Sequence, residues 1–327
     1  MFRTRLRVAG LDVDFTARGP FEIDRFRHRF GPYERDATRA GGEPAASARG
    51  GATYAGSEPV PAADGDERAP TANVGESAPG ANGGDPPLSL RLWVEPLGKQ
   101  LGPADVPYPG VKAYPSPAGV KLLREGLSMW LGFDGRAEAF ARGPQRLPRP
   151  PFEEDAGPAD TPLRLLASHA LLARGAGALV HACGVLYRGR GILIVGPSGA
   201  GKTTCARLAR PESVLSDDQV ALLETPAGLA LESTPFVGLF GRTIAPTRAP
   251  LGGLVVLDRA RPERLEPLGG AAALGSLLRC LPLYTRTAAT AGAALRLAER
   301  VVREAPLVRG APGLGAPLEA WLGGLGG

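Results

Sequence analysis

The sequence predicts an α/β protein in two parts: a small β-rich N-terminal domain, then a larger domain in which helices pack on a mixed sheet. Three observations carry this prediction. The run 5-RLRVAGLDVDFTA-17 alternates apolar and polar residues at period two, as a half-buried strand does. The run 191-GILIVGPSGAGKTTCARLA-209 reads as a short buried strand, a glycine loop and a helix stopped by Pro211. A second apolar stretch, 212-ESVLSDDQVALLE-224, follows at once and carries two adjacent carboxylates. With 43% hydrophobic and 22% charged residues among 327, most of the chain can bury a core.

Taken in order, residues 1–35 read as short strands. The composition changes abruptly at Asp36. Residues 36–87 are nearly free of large apolar side chains and dense in Gly, Pro, Ala and acidic residues. Such a segment cannot bury enough surface to offset its ordering entropy, so it is expected to be a disordered insertion, removable without loss of ligand affinity. Strand patterning resumes at 88-LSLRLWVEP-96 and continues through 111-VKAYP-115, 118-AGVKLLREG-126, 127-LSMWLGFDG-135 and 136-RAEAFARG-143, with Gly and Pro turns between. Together 1–35 and 88–150 form the expected mostly antiparallel N-terminal domain. Residues 145–162 read as a linker, and 163-LRLLASHALLARG-175 has helical spacing with a glycine stop. The second domain is expected over 160–315, followed by a flexible tail over 316–327.

Composition narrows the function classes. The net charge is +5, but the basic residues are scattered along the sequence with few aromatic neighbours, so no nucleic-acid partner is expected. No apolar run reaches the roughly 18 residues a bilayer span needs. The nearest, 268-LGGAAALGSLLRCLPLY-284, is interrupted by Gly, Arg and Pro, so no membrane association is expected. The N-terminus lacks the apolar core of a signal peptide. Cys183, Cys205 and Cys280 have no metal-ligand spacing and read as small core residues in a reducing, cytoplasmic setting.

The chemistry concentrates after residue 180. Gly196 to Thr203 reads G-x-x-x-x-G-K-T, the Walker A pattern, between a strand and a helix. In that context the backbone of Gly196, Pro197, Ser198, Gly199, Ala200 and Gly201, continuing into Thr204, is expected to cradle nucleotide phosphates at a helix N-terminus. Lys202 would bridge the β- and γ-phosphates of ATP, and the Thr203 hydroxyl would ligate Mg²⁺. Only four of the 38 basic residues are lysine, so a lysine at this position points to chemistry: its compact charge fits between phosphates where a planar guanidinium does not. Asp217 and Asp218 follow Lys202 by only fifteen and sixteen residues, so they come from the very next strand. Two adjacent carboxylates beside a triphosphate can divide the labour between holding metal and accepting a proton. Adjacent strand residues face opposite ways, so both can reach one site only where the strand ends. His181 lies upstream, where a hairpin leads into the loop strand. Thr234, Pro235 and Gly238 in 232-ESTPFVGLFGR-242 could shape a substrate-facing loop, and Arg242 could reach a phosphate.

The combination of a histidine, a hairpin, G-x-x-x-x-G-K-[ST] and a nearby Asp-Asp resembles the HPr serine kinase/phosphorylase family, whose fold is related to ATP-dependent phosphoenolpyruvate carboxykinase. The resemblance covers about residues 165–310. Its histidine-to-lysine spacing matches the twenty-one residues from His181 to Lys202, and its Ala-Asp-Asp matches 216-SDD-218. It implies a nucleotide domain of that type and an ATP- and Mg²⁺-dependent kinase acting on a serine or other hydroxyl of a small protein or peptide. The base role falls on Asp217 and the metal role on Asp218, with His181 and Lys202 completing the catalytic set, and a homo-oligomer is open. The family's E-x-R-G-x-G signature is absent, with 233-STPFVG-238 standing in its place, and the ending GKTT is closer to the carboxykinase. Two alternatives therefore remain: a small-molecule phosphotransferase of the carboxykinase kind, and a nucleotide-gated binding module without catalysis.

Overall fold

The computed structural model describes residues 1–35, 87–95, 112–142, 159–313 and 316–326, less positions 20, 22, 125–126, 237, 239–245, 263 and 283–286. The insertion expected over 36–87 lies outside them but for its last position, as does the linker expected over 145–162 up to residue 158, and Arg242. The protein is mixed α/β with an N-terminal β domain.

That domain begins with β1 (Phe2–Val8) and β2 (Leu11–Arg18). They join through Ala9 and Gly10, both at positive φ, the backbone a two-residue hairpin turn requires. The helix α1 (Ile23–Phe30) then corrects the strand reading of residues 1–35. Phe26 and Phe30, four apart, fall on one helical face, and both are buried. Strands β3 (Leu88–Glu95), β4 (Lys112–Ser116), β5 (Gly119–Arg124), β6 (Leu127–Gly132) and β7 (Arg136–Arg142) complete a seven-stranded sheet in the order β1-β2-β3-β7-β6-β5-β4. Among its described strands only β2–β3 and β3–β7 pair in parallel.

Helix α2 (Asp160–Ala173) starts three residues earlier than the sequence suggested, because Pro162 falls in its first turn, where no N–H is needed. Ten of its residues, from Pro162 to Leu172, are buried, which places apolar surface on more than one face. It lies in one hydrophobic cluster with the inward side chains of the first sheet and with Leu179, Ala221, Leu223 and Phe236 of the second part. The two parts thus share a core.

The second sheet contains β8 (Gly177–His181), β9 (Cys183–Tyr187), β10 (Arg190–Val195), β11 (Val214–Ser216), β12 (Gln219–Thr225), β13 (Gly228–Glu232) and the long β14 (Arg248–Pro262), with α3 (Lys202–Leu208) after β10. Their order is β11-β9-β10-β14-β13-β12-β8. After β15 (Glu266–Pro267), α4 (Gly270–Arg279) and α5 (Ala288–Glu304), the strand β16 (Leu307–Ala311) adds in parallel to β14. A capping box between Thr287 and Thr290 starts α5.

The two ends of this strand order are joined by the chain itself. Strand β8 runs into β9 through Ala182 alone, and β11 runs into β12 through Asp217 and Asp218. The sheet therefore folds over on itself, and both crossings meet: the Ala182 N–H donates to the Asp218 carbonyl at 3.0 Å. The tail expected to be flexible forms α6 (Leu318–Leu322) instead. Leu318, Trp321 and Leu322 are buried against Cys205, Ala206, Val255 and Leu257, and that apolar triplet is what orders it.

Candidate functional site

The glycine loop 196–201 leaves β10 and enters α3, as its sequence predicts. Gly199 and Gly201 adopt φ of +76° and +115°, and a Cβ at either would meet nothing within 4 Å. They are needed for conformation, and the space beside them is open. Gly196 has the opposite reason: a Cβ there would press to 2.9 Å from the Ala200 Cβ. Lys202 curls back so that its Nζ donates to the Gly196 and Pro197 carbonyls at 2.9 and 3.1 Å. Burial pushes this ammonium below its ordinary value, opposed by nearby Cys280 and Asp218. The Arg259 guanidinium, which the sequence did not single out, donates to the Gly199 carbonyl from the end of β14.

Asp217 and Asp218 occupy the crossing between β11 and β12, outside regular pairing, which is the geometry two neighbouring carboxylates need to serve one site. The Ser216 hydroxyl holds the crossing by accepting from the Asp218 and Gln219 N–H groups at 3.2 and 3.1 Å. Asp217 is buried and its Oδ1 accepts the Gly238 N–H at 2.8 Å. A Cβ on Gly238 would come within 3.0 Å of the Asp217 Oδ2 and of the Asp218 Cβ, so Gly238 backs the acid pair directly. Thr234 is fully buried, with its hydroxyl donating to the Gln219 carbonyl; it faces the core and not a substrate.

Asp218 is clamped. Its Oδ2 accepts from the Arg164 Nη1 at 2.6 Å and its Oδ1 lies 2.9 Å from the His181 Nδ1. Burial alone would raise this carboxyl, but the Arg164 and His181 charges and hydrogen bonds override it and hold it well below the usual carboxylate range. His181 ends β8, pairs with Gln219 of β12, and precedes the β9–β10 hairpin by one residue. Arg164 also reaches Asp160 at 3.1 Å, and Asp160 reaches Arg29 of α1 at 3.9 Å. An ion chain therefore runs from the N-terminal domain through α2 to the acid pair. Arg164 was legible in the sequence only as one arginine within an otherwise apolar helical stretch.

The acid pair and the glycine loop are tied together through Cys280 at the end of α4. Its carbonyl accepts the His181 N–H at 2.8 Å, and its Sγ lies 3.8 Å from the Gly196 carbonyl. His181, Asp217, Asp218 and Lys202 are thus gathered where the two crossings meet the start of the loop. The other two thiols are inert: burial raises Cys183 well above its ordinary value and pushes Cys205 up to about 12.

The loop residues fit a phosphate group. The glycines leave room, and Lys202 already spends its charge on carbonyl oxygens that an anion would relieve. The Thr203 hydroxyl makes no hydrogen bond among the described residues, which leaves it open to a hard cation. Asp218 fits a cation only after Arg164 or His181 yields one of its oxygens. Among the described residues no group of three or more His, Cys, Asp or Glu side chains could hold a metal, so a cation here needs ligand oxygens as well. Among the same residues no helix is long and apolar enough to cross a membrane. No family model matches this chain, and no curated protein matches it.

Proposed function

We propose that this protein is a kinase resembling the HPr serine kinase type, transferring the γ-phosphate of Mg·ATP to a hydroxyl of a small protein or peptide. The observation that carries the reading is the unequal environment of two neighbouring carboxylates beside a Walker A loop. Asp218 is locked as an anion by Arg164 and His181, while the buried Asp217 accepts the Gly238 backbone N–H. Pairs of titratable groups held in different environments mark division of an acid–base task.

In this reading Lys202 leaves the Gly196 and Pro197 carbonyls for the phosphates, and the loop N–H groups orient them. Thr203 and Asp218 would hold magnesium, which supplies neutralisation of phosphate charge. Asp217 accepts the acceptor's hydroxyl proton as its oxygen bonds to the γ-phosphorus and the bond to the β-phosphate oxygen breaks, releasing ADP. His181 and Arg164 hold Asp218 in place. The finer fold assignment, a nucleotide domain of the HPr kinase and carboxykinase type, belongs to this proposal and draws on the same loop, histidine and acid pair.

The test is transfer from γ-labelled ATP to peptides from the cell's own extract, with titration of Mg·ATP by calorimetry. Asp217→Asn should retain binding and lose about 10²–10⁴-fold in transfer, the range for a general base. Full transfer by that variant would end the base assignment. The clamp on Asp218 also favours a second reading, a nucleotide-gated module in which ATP draws Lys202 and Asp218 from their present partners. Tight Mg·ATP binding with no transfer to any acceptor would select it.

A further inference from the structure

The sheet of the N-terminal domain buries one face against α2 and turns the other outward. Strand register aligns the outward residues into two neighbouring rows. One row runs Arg3, Thr16, Arg91, Glu138, Trp130, Lys121 and Tyr114 across all seven strands. The next contains Arg18, Trp93 and Phe140. Trp130, Phe140 and Tyr114 are 37%, 44% and 51% exposed, which is unusual for rings of this size gathered on one face. Trp93 and Phe140 stack at 4.8 Å with their planes 12° apart. At the β1–β3 end, Arg3, Arg18, Arg91 and Trp93 line a cleft of about 450 Å³ together with Thr16, Ser89, Leu92 and Asp14, whose carboxylate is engaged by Arg5.

We propose that this face docks an acidic, partly apolar peptide segment in extended conformation, its carboxylates on Arg3 and Arg18 and its apolar side chains on the Trp93, Phe140 and Trp130 rings. Charge complementarity selects this occupant. Among the described residues Arg3 and Arg18 have no carboxylate partner, whereas Arg5 pairs with Asp14 and Arg91 with Glu138 on the same face. A nucleic acid, with a phosphate at every nucleotide, would meet those carboxylates as well as the arginines. A peptide can confine its charge to the basic end and lay apolar residues over the rings. Seven strands about 4.8 Å apart make a row of about 29 Å, which an extended peptide crosses in about nine residues. The proposal concerns the opposite face of the sheet from α2 and does not depend on the nucleotide reading.

Two of the three tryptophans, Trp93 and Trp130, stand on this face, and Trp321 is buried elsewhere, so intrinsic fluorescence reports occupancy. The probes are blocked nine-residue synthetic peptides with three glutamates at one end and leucine, phenylalanine and glycine over the rest, in both orders, alongside the lysine-for-glutamate versions and a nine-nucleotide oligo-dT. The expected result is a saturable change in tryptophan emission with at least one glutamate peptide, weakened by salt and at least tenfold weaker in the Arg3→Glu/Arg18→Glu variant. An unchanged circular dichroism spectrum and melting curve establish that the variant is folded. Phe140→Ser gives a second variant, expected to weaken the same peptide without altering its salt dependence. No emission change with either glutamate peptide, equal binding by the arginine variant, or equal binding of the lysine peptide or oligo-dT would each overturn the proposal.

Discussion

Replacing Arg164 by glutamine removes the cation that clamps Asp218 and leaves that carboxylate, among the described residues, with His181. At an effective dielectric near 20, unit charges at the observed 2.6 Å attract by about 6 kcal/mol before desolvation is subtracted. Breaking one side of a fully buried pair costs about 3–5 kcal/mol, and of an exposed pair about 0–1. Arg164 and Asp218 side chains are 16% and 23% exposed, which places this pair between those limits but nearer the buried one, at about 2–3 kcal/mol. For a domain of this size that is a fall of about 5–10 °C in thermal midpoint. The sign with pH follows from the depressed Asp218 carboxyl. Its stabilisation is fully present above the ordinary value of 3.8 and is lost as pH falls below it, so the variant should show a shallower acid limb than the wild type. The assay is thermal unfolding of the wild type, Arg164→Gln, Asp218→Asn and the double variant at pH 7 and at about pH 2.5, below the ordinary carboxyl value. The double variant should recover part of the loss, because no uncompensated charge is left behind, with a coupling of about 1–2 kcal/mol. A midpoint change under about 1 °C, or strict additivity of the two single changes, would refute the clamp.

Three further outcomes follow from the same structure. Gly199→Val places a β-branched residue at φ +76° in open space, so it should strain the loop by about 1–3 kcal/mol and weaken Mg·ATP binding in a calorimetric titration without a steric clash. Burial lowers His169, so the folded state disfavours its proton; its contribution to stability is complete above the ordinary value of 6.5 and is lost as pH falls below it. Melting midpoints should therefore drop between pH 7 and pH 5, and His169→Gln should flatten that part of the curve. Trp321→Ala should cost about 3–5 kcal/mol in urea unfolding, as for a buried aromatic, whereas a tail without packing would cost nothing measurable.

Local pattern alone placed much of the site. The alternation in β1, β2 and β3, the strand–loop–helix around Lys202, and the need for Asp217 and Asp218 to lie at a strand end are all consequences of period and spacing, which neighbouring residues determine. What local pattern missed is equally specific. Helix α1 was hidden because eight residues carrying two buried phenylalanines suit a strand or a helix until a partner surface selects one. The tail over 316–327 was misread because three apolar residues are too few to show a period, and only the pocket formed by Cys205, Val255 and Leu257 gives them a place to go.

Sequence by itself determined the chemistry available here: a loop shaped by glycine, one lysine among many arginines, and two adjacent carboxylates. Tertiary structure decided which groups meet. Folding the second sheet over on itself brings His181 and Asp218 together across 37 residues of chain, and packing α2 beneath it delivers Arg164 from 54 residues away. The same is true of the outward face of the first sheet, where basic and aromatic residues that look scattered in sequence fall into register rows. Pairing partners and neighbours across strands are set by the burial of whole faces, a property of the assembled core that no single stretch of sequence carries.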